Sequence, residues 1–193
     1  MLRRGFKSQC ERRSVELRRL LGLGPIASLS AASVARHYSV SVWYPREING
    51  VSGADLEHLL GPAREEWSGF TLKIGTRHLV VINSAQSSRR QNSVLMHEIA
   101  HIILGHQLAS AMFTETGDFF PSTYDQDQED EAAWLGGTLL LPRPALLWMR
   151  RRGLLDDEAA THFNVSPDLL QWRIRMTGID YQLGIGVRGA GSP

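Results

Sequence analysis

The residues with the clearest capacity for chemistry are His97, Glu98 and His101, in the run His97-Glu98-Ile99-Ala100-His101. Two histidines four positions apart on a helix project from one face. Their ring nitrogens can then share a single Zn²⁺ through bonds of about 2.0–2.1 Å. Glu98 follows the first histidine, where a carboxylate reaches a water on the metal and takes its proton. Zinc lowers that water's pKa from about 15.7 toward 7, so a carboxylate is a sufficient base. Seven histidines and eleven glutamates would produce this pattern by chance in roughly 1 chain in 70 of this size, so its surroundings must decide. Val94, Leu95, Met96, Ile99, Ala100, Ile102, Ile103 and Leu104 surround the polar residues with apolar or small ones, which predicts a buried helix. Two histidines and a glutamate in such a helix are costly without a partner. An ordinary pair of core histidines would leave Glu98 unexplained.

A third ligand must come from elsewhere. The extended metzincin pattern requires a glycine at 104 and a histidine at 107, whereas the chain reads Leu104-Gly105-His106-Gln107, one residue out of register. His106 lies five residues past His101, about 140° around an uninterrupted helix. It therefore reads as a helix-end residue, or one that touches a ligand, rather than as a ligand. With Cys10 the single cysteine, no set of thiolates is available. A hydrolytic zinc site with two histidines takes a carboxylate, and residues 113–131 hold seven acidic side chains and no Lys or Arg. Glu131 opens an apolar helix, with Leu135, Thr138 and Leu139 following at helical spacing. Glu129, Asp130 and Asp127 compete with it, their plain reading being acidic residues that favour a helix N-terminus.

Several elements must position these residues. Residues 11–23 read as an amphipathic helix stopped by Gly22, Gly24 and Pro25, and Ser28–His37 as a second helix. Val40–Tyr44 is a short strand and Asp55–Leu60 a helical turn. Phe70–Ile74 and His78–Ile82 flank Gly75-Thr76-Arg77 as a hairpin. The motif helix covers Val94–Leu104, closed by Gly105. Ala132–Leu141 is a buried helix ended by Pro142, and Pro144–Arg152 another, with Arg150-Arg151-Arg152 complementing its dipole. Residues 156–177 form a pair of helices around Asn164-Val165-Ser166. This predicts an α+β fold, a small mixed or antiparallel sheet packed on a helical core with a C-terminal helical pair. Residues 1–14 read as a basic N-terminal tail, 15–180 as one domain, and 184–193 as a flexible glycine-rich tail.

Composition limits the class further. The chain has 193 residues, 42% hydrophobic and 21% charged, with a net charge of +1. Such a chain is neither disordered nor fibrous, and near-neutrality argues against a dedicated nucleic-acid binder. Nineteen of the 21 basic residues are Arg. The near-zero sum hides a segregation, with seven basic and two acidic residues in 1–19 opposite the acidic 113–131. Arg3-Arg4 faintly suggests a twin-arginine signal, but the charged residues of 10–19 replace the apolar stretch that a signal needs. No run reaches the roughly 18 apolar residues of a membrane span. One cysteine suits a reducing compartment, so a cytoplasmic location is expected.

The run His97–His106, together with Glu131-Ala132 opening a helix that ends Leu139-Leu140-Leu141-Pro142, resembles the ImmA/IrrE family of zinc metallopeptidases. The hairpin strand ending at Asn83, and the run from Ala159 through Phe163, Val165 and Ser166 to Thr177-Gly178, fit as well. The likeness covers roughly residues 15–180. It implies a gluzincin-like α+β fold, one Zn²⁺ bound by His97, His101 and Glu131, and Glu98 as general base. It also implies a protein substrate, a helix-turn-helix repressor in a stress response or a mobile element. Ala133 stands where the family has Asn, and Leu135-Gly136 replaces Phe-Ala; these are packing positions.

Other readings compete. The protein could retain the metal fold and act by binding a repressor without cutting it. The pair at 156–177, with Arg173 and Arg175, could contact DNA, but packing against the core is the expected role. Cys10 reads as lying in an exposed basic segment. His37, His58, His78, His162 or Tyr124 could stabilise an oxyanion, and nothing in the sequence selects among them. The strand before the motif helix could hold a substrate by strand addition.

Overall fold

A computed structural model describes residues 2–107, the backbone of 112–113 and 119–120, and residues 125–185. Tyr124, Glu115 and Asp118 of the acidic segment, and most of the glycine-rich tail lie outside the described residues. The fold is α+β, as expected. In chain order the described elements are α1 (Phe6–Leu20), α2 (Ala31–His37), β1 (Ser41–Trp43), α3 (Gly53–Leu60), β2 (Gly69–Ile74), β3 (Arg77–Ile82), α4 (Ser88–Leu104), β4 (Met112–Phe113), β5 (Phe119–Phe120), α5 (Gln126–Leu140), α6 (Arg143–Arg151), α7 (Asp156–His162), α8 (Pro167–Thr177) and α9 (Ile179–Gln182). Among the described residues no helix is long and apolar enough to cross a membrane.

The sheet is mixed, with order β1-β3-β2. Gly75, at φ +61°, turns the chain between β2 and β3, which pair antiparallel with Thr71 opposite Val80. Strand β1 runs parallel to β3, with Val42 opposite Val80. Side chains alternate between the two faces of a strand. Thr71, Val80 and Ile82 thus share the face toward α4, where a Cβ on Gly69 would stand 3.0 Å from Val94. Phe70 and Val81 face the other way, into a cavity of about 420 Å³ lined also by His58 and Trp67.

Strand addition at the strand before the motif helix is corrected by this order. That strand, β3, is central, and among the described residues β2 has no strand on its other edge.

Helix α4 begins at Ser88, six residues before the apolar run. Ser87 caps it, its hydroxyl accepting from the Arg90 N–H, and Gly105 closes it in the left-handed conformation at φ +69°. Asn92, buried on α4, accepts from the Ala31 N–H and donates to the Asn164 carbonyl. One amide thereby ties the motif helix to α2 and to the turn between α7 and α8.

Helix α5 also starts earlier than its apolar run. The Asp125 carboxylate accepts from the Asp127 and Gln128 N–H groups, and acidic residues in the first turn complement the dipole. From Trp134 to Leu140 every residue of α5 is buried. It packs on α4 through Gly136, where a Cβ would stand 3.2 Å from the His97 Cα and 3.2 Å from the Met96 carbonyl oxygen. Gly136→Leu is therefore expected to pry the two helices apart and cost about 1–3 kcal/mol, read as a lower urea midpoint. An unchanged midpoint would show that the interface has slack.

The expected basic tail is not one. Helix α1 starts at Phe6, and Phe6, Cys10, Ser14, Leu17 and Arg18 are buried. Cys10, expected on the surface, is 1% exposed, and burial pushes its thiol up to about 12. It is a protonated core residue with no nucleophilic character at neutral pH.

Arg18 donates to the Leu140 carbonyl and to the Ser14 hydroxyl. Arg173 of α8 donates twice to the Leu141 carbonyl and once to Glu11. Two buried guanidinium groups thus satisfy carbonyls at the α5 C-terminus that no further helical turn can reach. Arg150 donates to Asp156 and Asp180, joining α6 to α7 and α9.

Candidate metal centre

The i, i+4 spacing on α4 places His97 and His101 side by side, with their Nε2 atoms 3.1 Å apart. Glu129, in the first turn of α5, faces both. Its Oε2 lies 3.1 Å from His97 Nε2 and its Oε1 3.4 Å from His101 Nε2. One ligand atom from each of the three residues lies within 4.8 Å of the others. Ligands of a tetrahedral ion with bonds of about 2.0–2.1 Å stand about 3.3 Å apart. The histidine pair and each histidine's nearer Glu129 oxygen stand close to that spacing, the two histidines facing different oxygens of the carboxylate, and the donors are the nitrogen and oxygen types that suit a divalent metal. The cluster can hold a metal ion.

Its electrostatics agree. Burial, followed by the neighbouring His97, pushes His101 down to about 4. It is neutral at pH 7, as a ligand nitrogen must be. Hydrogen bonding to His97 holds the Glu129 carboxyl below the usual range, so it is ionised. His101 is 10% exposed on its side chain, and His97 and Glu129 are 31% and 34%. The cluster is closed on the His101 side and open on the other.

Glu98 points to the sheet. The Thr71 hydroxyl of β2 donates to its Oε2 at 2.6 Å. Burial holds the carboxyl above its ordinary range, and the Thr71 bond pulls it partly back. Removal from water makes the carboxylate a better proton acceptor. A single hydrogen bond fixes its direction and leaves its other oxygen for a second partner. Nothing in the sequence marked Thr71; it emerges only once the hairpin register puts it opposite Val80, over α4.

The expectation of Glu131 as the third carboxylate is corrected. Its Oε2 lies 3.4 Å from His106 Nε2 and its Oε1 3.4 Å from Arg3 Nε, while Glu129 occupies the place beside the two histidines. Residues two apart on a helix point about 200° apart, so only one of the two can face α4. Glu129 stands seven residues, about two turns, before Gly136, and so on the face of closest approach. Glu131 shares its face with Thr138, whose carbonyl accepts from Ser14 of α1. Asp127 and Asp130 belong to the first turns of α5, where Asp130 accepts from Gln126.

The model of the IrrE N-terminal-like domain of the peptidase M78 family matches residues 57–175. The chain belongs to this family. No curated protein matches it. The M78 match contains the hairpin, α4 and α5, hence Thr71, His97, Glu98, His101 and Glu129. Helix α1, which holds the far end of α5, lies before it.

The remaining candidates have packing partners. His162 stacks on Trp148 with ring centroids 5.0 Å apart, and His37 meets Tyr38 edge-on. His58 lines the cavity on the opposite sheet face. His78 sits opposite Lys73 on the same face as Thr71, and burial and Lys73 lower its proton affinity. In the α7–α8 pair, Arg173 is fully buried against α5 and is not presented to a partner, whereas Arg175 is exposed.

Proposed function

We propose that the protein is a zinc-dependent endopeptidase in which His97, His101 and Glu129 hold the metal and Glu98 is the general base. The observation that carries this reading is the meeting of His97, His101 and Glu129 at ligand spacing beside Glu98, which shares α4 with the histidines and accepts from Thr71 of β2. Zinc at this position would polarise the scissile carbonyl and acidify a water molecule. Glu98 would take the proton from that water and pass it to the leaving amine, a role that its desolvation favours. Thr71 keeps one carboxylate oxygen engaged so that the other is the one that moves the proton. The other edge of β2, the strand that carries Thr71, is suited to hold an extended peptide by strand addition.

The substrate class we propose is a regulatory protein, a helix-turn-helix repressor, acted on in the cytoplasm, and it rests on the resemblance to ImmA/IrrE peptidases. Zinc-loaded protein incubated with a panel of purified helix-turn-helix repressors should yield discrete fragments by mass spectrometry, and chelation should stop the cleavage. Intact repressors throughout, together with stable complexes on size exclusion, would favour action by binding without proteolysis.

A further inference from the structure

We propose that His106 and Glu131 form a positioning relay that fixes the ring of His101 toward the metal. The inference rests on the metal centre proposed above and extends it to residues that do not touch the ion.

The geometry is a line of four side chains. His101 turns Nε2 toward His97 and Glu129, while its Nδ1 lies 3.0 Å from His106 Nδ1. The two rings meet edge-on, 5.0 Å between centroids at 74°. On its far side His106 Nε2 faces Glu131 Oε2 at 3.4 Å, and Glu131 Oε1 faces Arg3 Nε at 3.4 Å.

The order of the protons follows from the ends of the line. A carboxylate oxygen accepts hydrogen bonds, so with Glu131 Oε2 facing its Nε2, His106 carries its proton there and presents a lone pair at Nδ1. That lone pair accepts the Nδ1 proton of His101, leaving the His101 Nε2 lone pair free to bind a cation. The opposite order would give Glu129 Oε1, 3.4 Å away, a proton on His101 Nε2 to accept, but it would set the bare His106 Nε2 against the Glu131 carboxylate and leave His101 unable to bind a cation. A neutral imidazole has two tautomers, and the hydrogen bond made by one nitrogen sets the role of the other. Here the carboxylate selects the one that ligates.

The line is shielded from water: the side chains of His106 and Glu131 are 7% and 20% exposed. Its construction is local. Gly105 ends α4 in the left-handed conformation, the His106 N–H bonds back to the His101 carbonyl at 3.1 Å, and the ring folds beneath His101 rather than continuing around the helix. Glu131 arrives from α5 on the far side of His101 from Glu129.

The test compares the wild-type chain with Glu131→Gln, His106→Gln and Glu129→Gln. Nitrogen NMR of the metal-free proteins at neutral pH reads the His101 tautomer: a larger Nδ1–H share in wild type than in Glu131→Gln and His106→Gln. Competition for Co²⁺ against a chromophoric chelator reads affinity. Glu131→Gln and His106→Gln should bind roughly 10–100-fold more weakly with the Co²⁺ absorption bands at wild-type positions. Glu129→Gln should lose the bands. Glu131→Gln is isosteric and carries the test if His106→Gln does not fold. Loss or displacement of the bands in Glu131→Gln would make Glu131 a ligand and overturn the relay. So would an unchanged tautomer with affinity within twofold of wild type. A wild-type chain that binds no Co²⁺ would count against the metal centre, and the tautomer measurement would still decide the relay.

Discussion

Replacing Glu98 by glutamine is expected to leave metal binding intact and to slow peptide-bond hydrolysis by roughly 10²–10⁴-fold, the usual contribution of a positioned acid–base group. Glutamine has the same shape, and its carbonyl oxygen can still accept from Thr71. The replacement removes the proton-accepting capacity and little else. The measurement is a single-turnover cleavage rate beside a zinc determination on the same sample. A rate within a few-fold of the parent would mean that Glu98 is not the base. Scored in the cell, the variant also separates two classes of function: a protein that acts only by binding a repressor should keep its effect.

The second large effect is on stability. Arg173 is fully buried, and its partners are the Leu141 carbonyl and the Glu11 carboxylate. Removing one partner of a buried ion pair costs about 3–5 kcal/mol. The Glu11 side chain is 30% exposed, so water can replace part of the loss. Arg173→Ala is therefore expected near the lower end, about 3 kcal/mol. At about 2–4 °C per kcal/mol for a chain of this size, the melting temperature should fall by roughly 6–12 °C. A fall of under about 2 °C would show that the carbonyls at the end of α5 need no partner. The consequence reaches the metal centre, because Arg18 and Arg173 hold one end of α5 while Glu129 stands at the other.

Most of the centre was legible from one helix. His97, Glu98 and His101 fall within five consecutive positions, and their mutual geometry follows from the helical repeat alone. The third carboxylate was not legible in the same way. Helix α5 is buried on all sides from Trp134 to Leu140, so its apolar pattern has no polar face to give its orientation. Glu131 and Glu129 both open that helix. What chooses between them is the close approach of α5 to α4 at Gly136, a tertiary contact. A partial signal existed: Glu129 lies two turns before Gly136 and one turn before Ala132-Ala133, whereas Gly137, two turns after Asp130, packs against α8 instead.

The boundaries of α4 and α5 slipped for a related reason. Their first turns are polar and capped by Ser87 and Asp125, whereas apolar periodicity detects only the buried turns. The N-terminal segment misled in the opposite sense. Its arginines suggest a solvated tail, yet Phe6, Cys10, Ser14, Leu17 and Arg18 form an inward face in which the cation itself is buried, spent on carbonyls of α5. The hairpin and the α7–α8 pair, set by local turn chemistry at Gly75 and Asn164, were read closely.

The most direct test of the metal centre is zinc content after equilibrium dialysis, for the wild-type chain, Glu98→Gln, Glu129→Gln and His97→Ala. The account predicts one zinc per chain in wild type and Glu98→Gln, and loss of that zinc in Glu129→Gln and His97→Ala. A wild-type chain that retains no zinc, or a Glu129→Gln chain that retains it as tightly as wild type, would contradict the account.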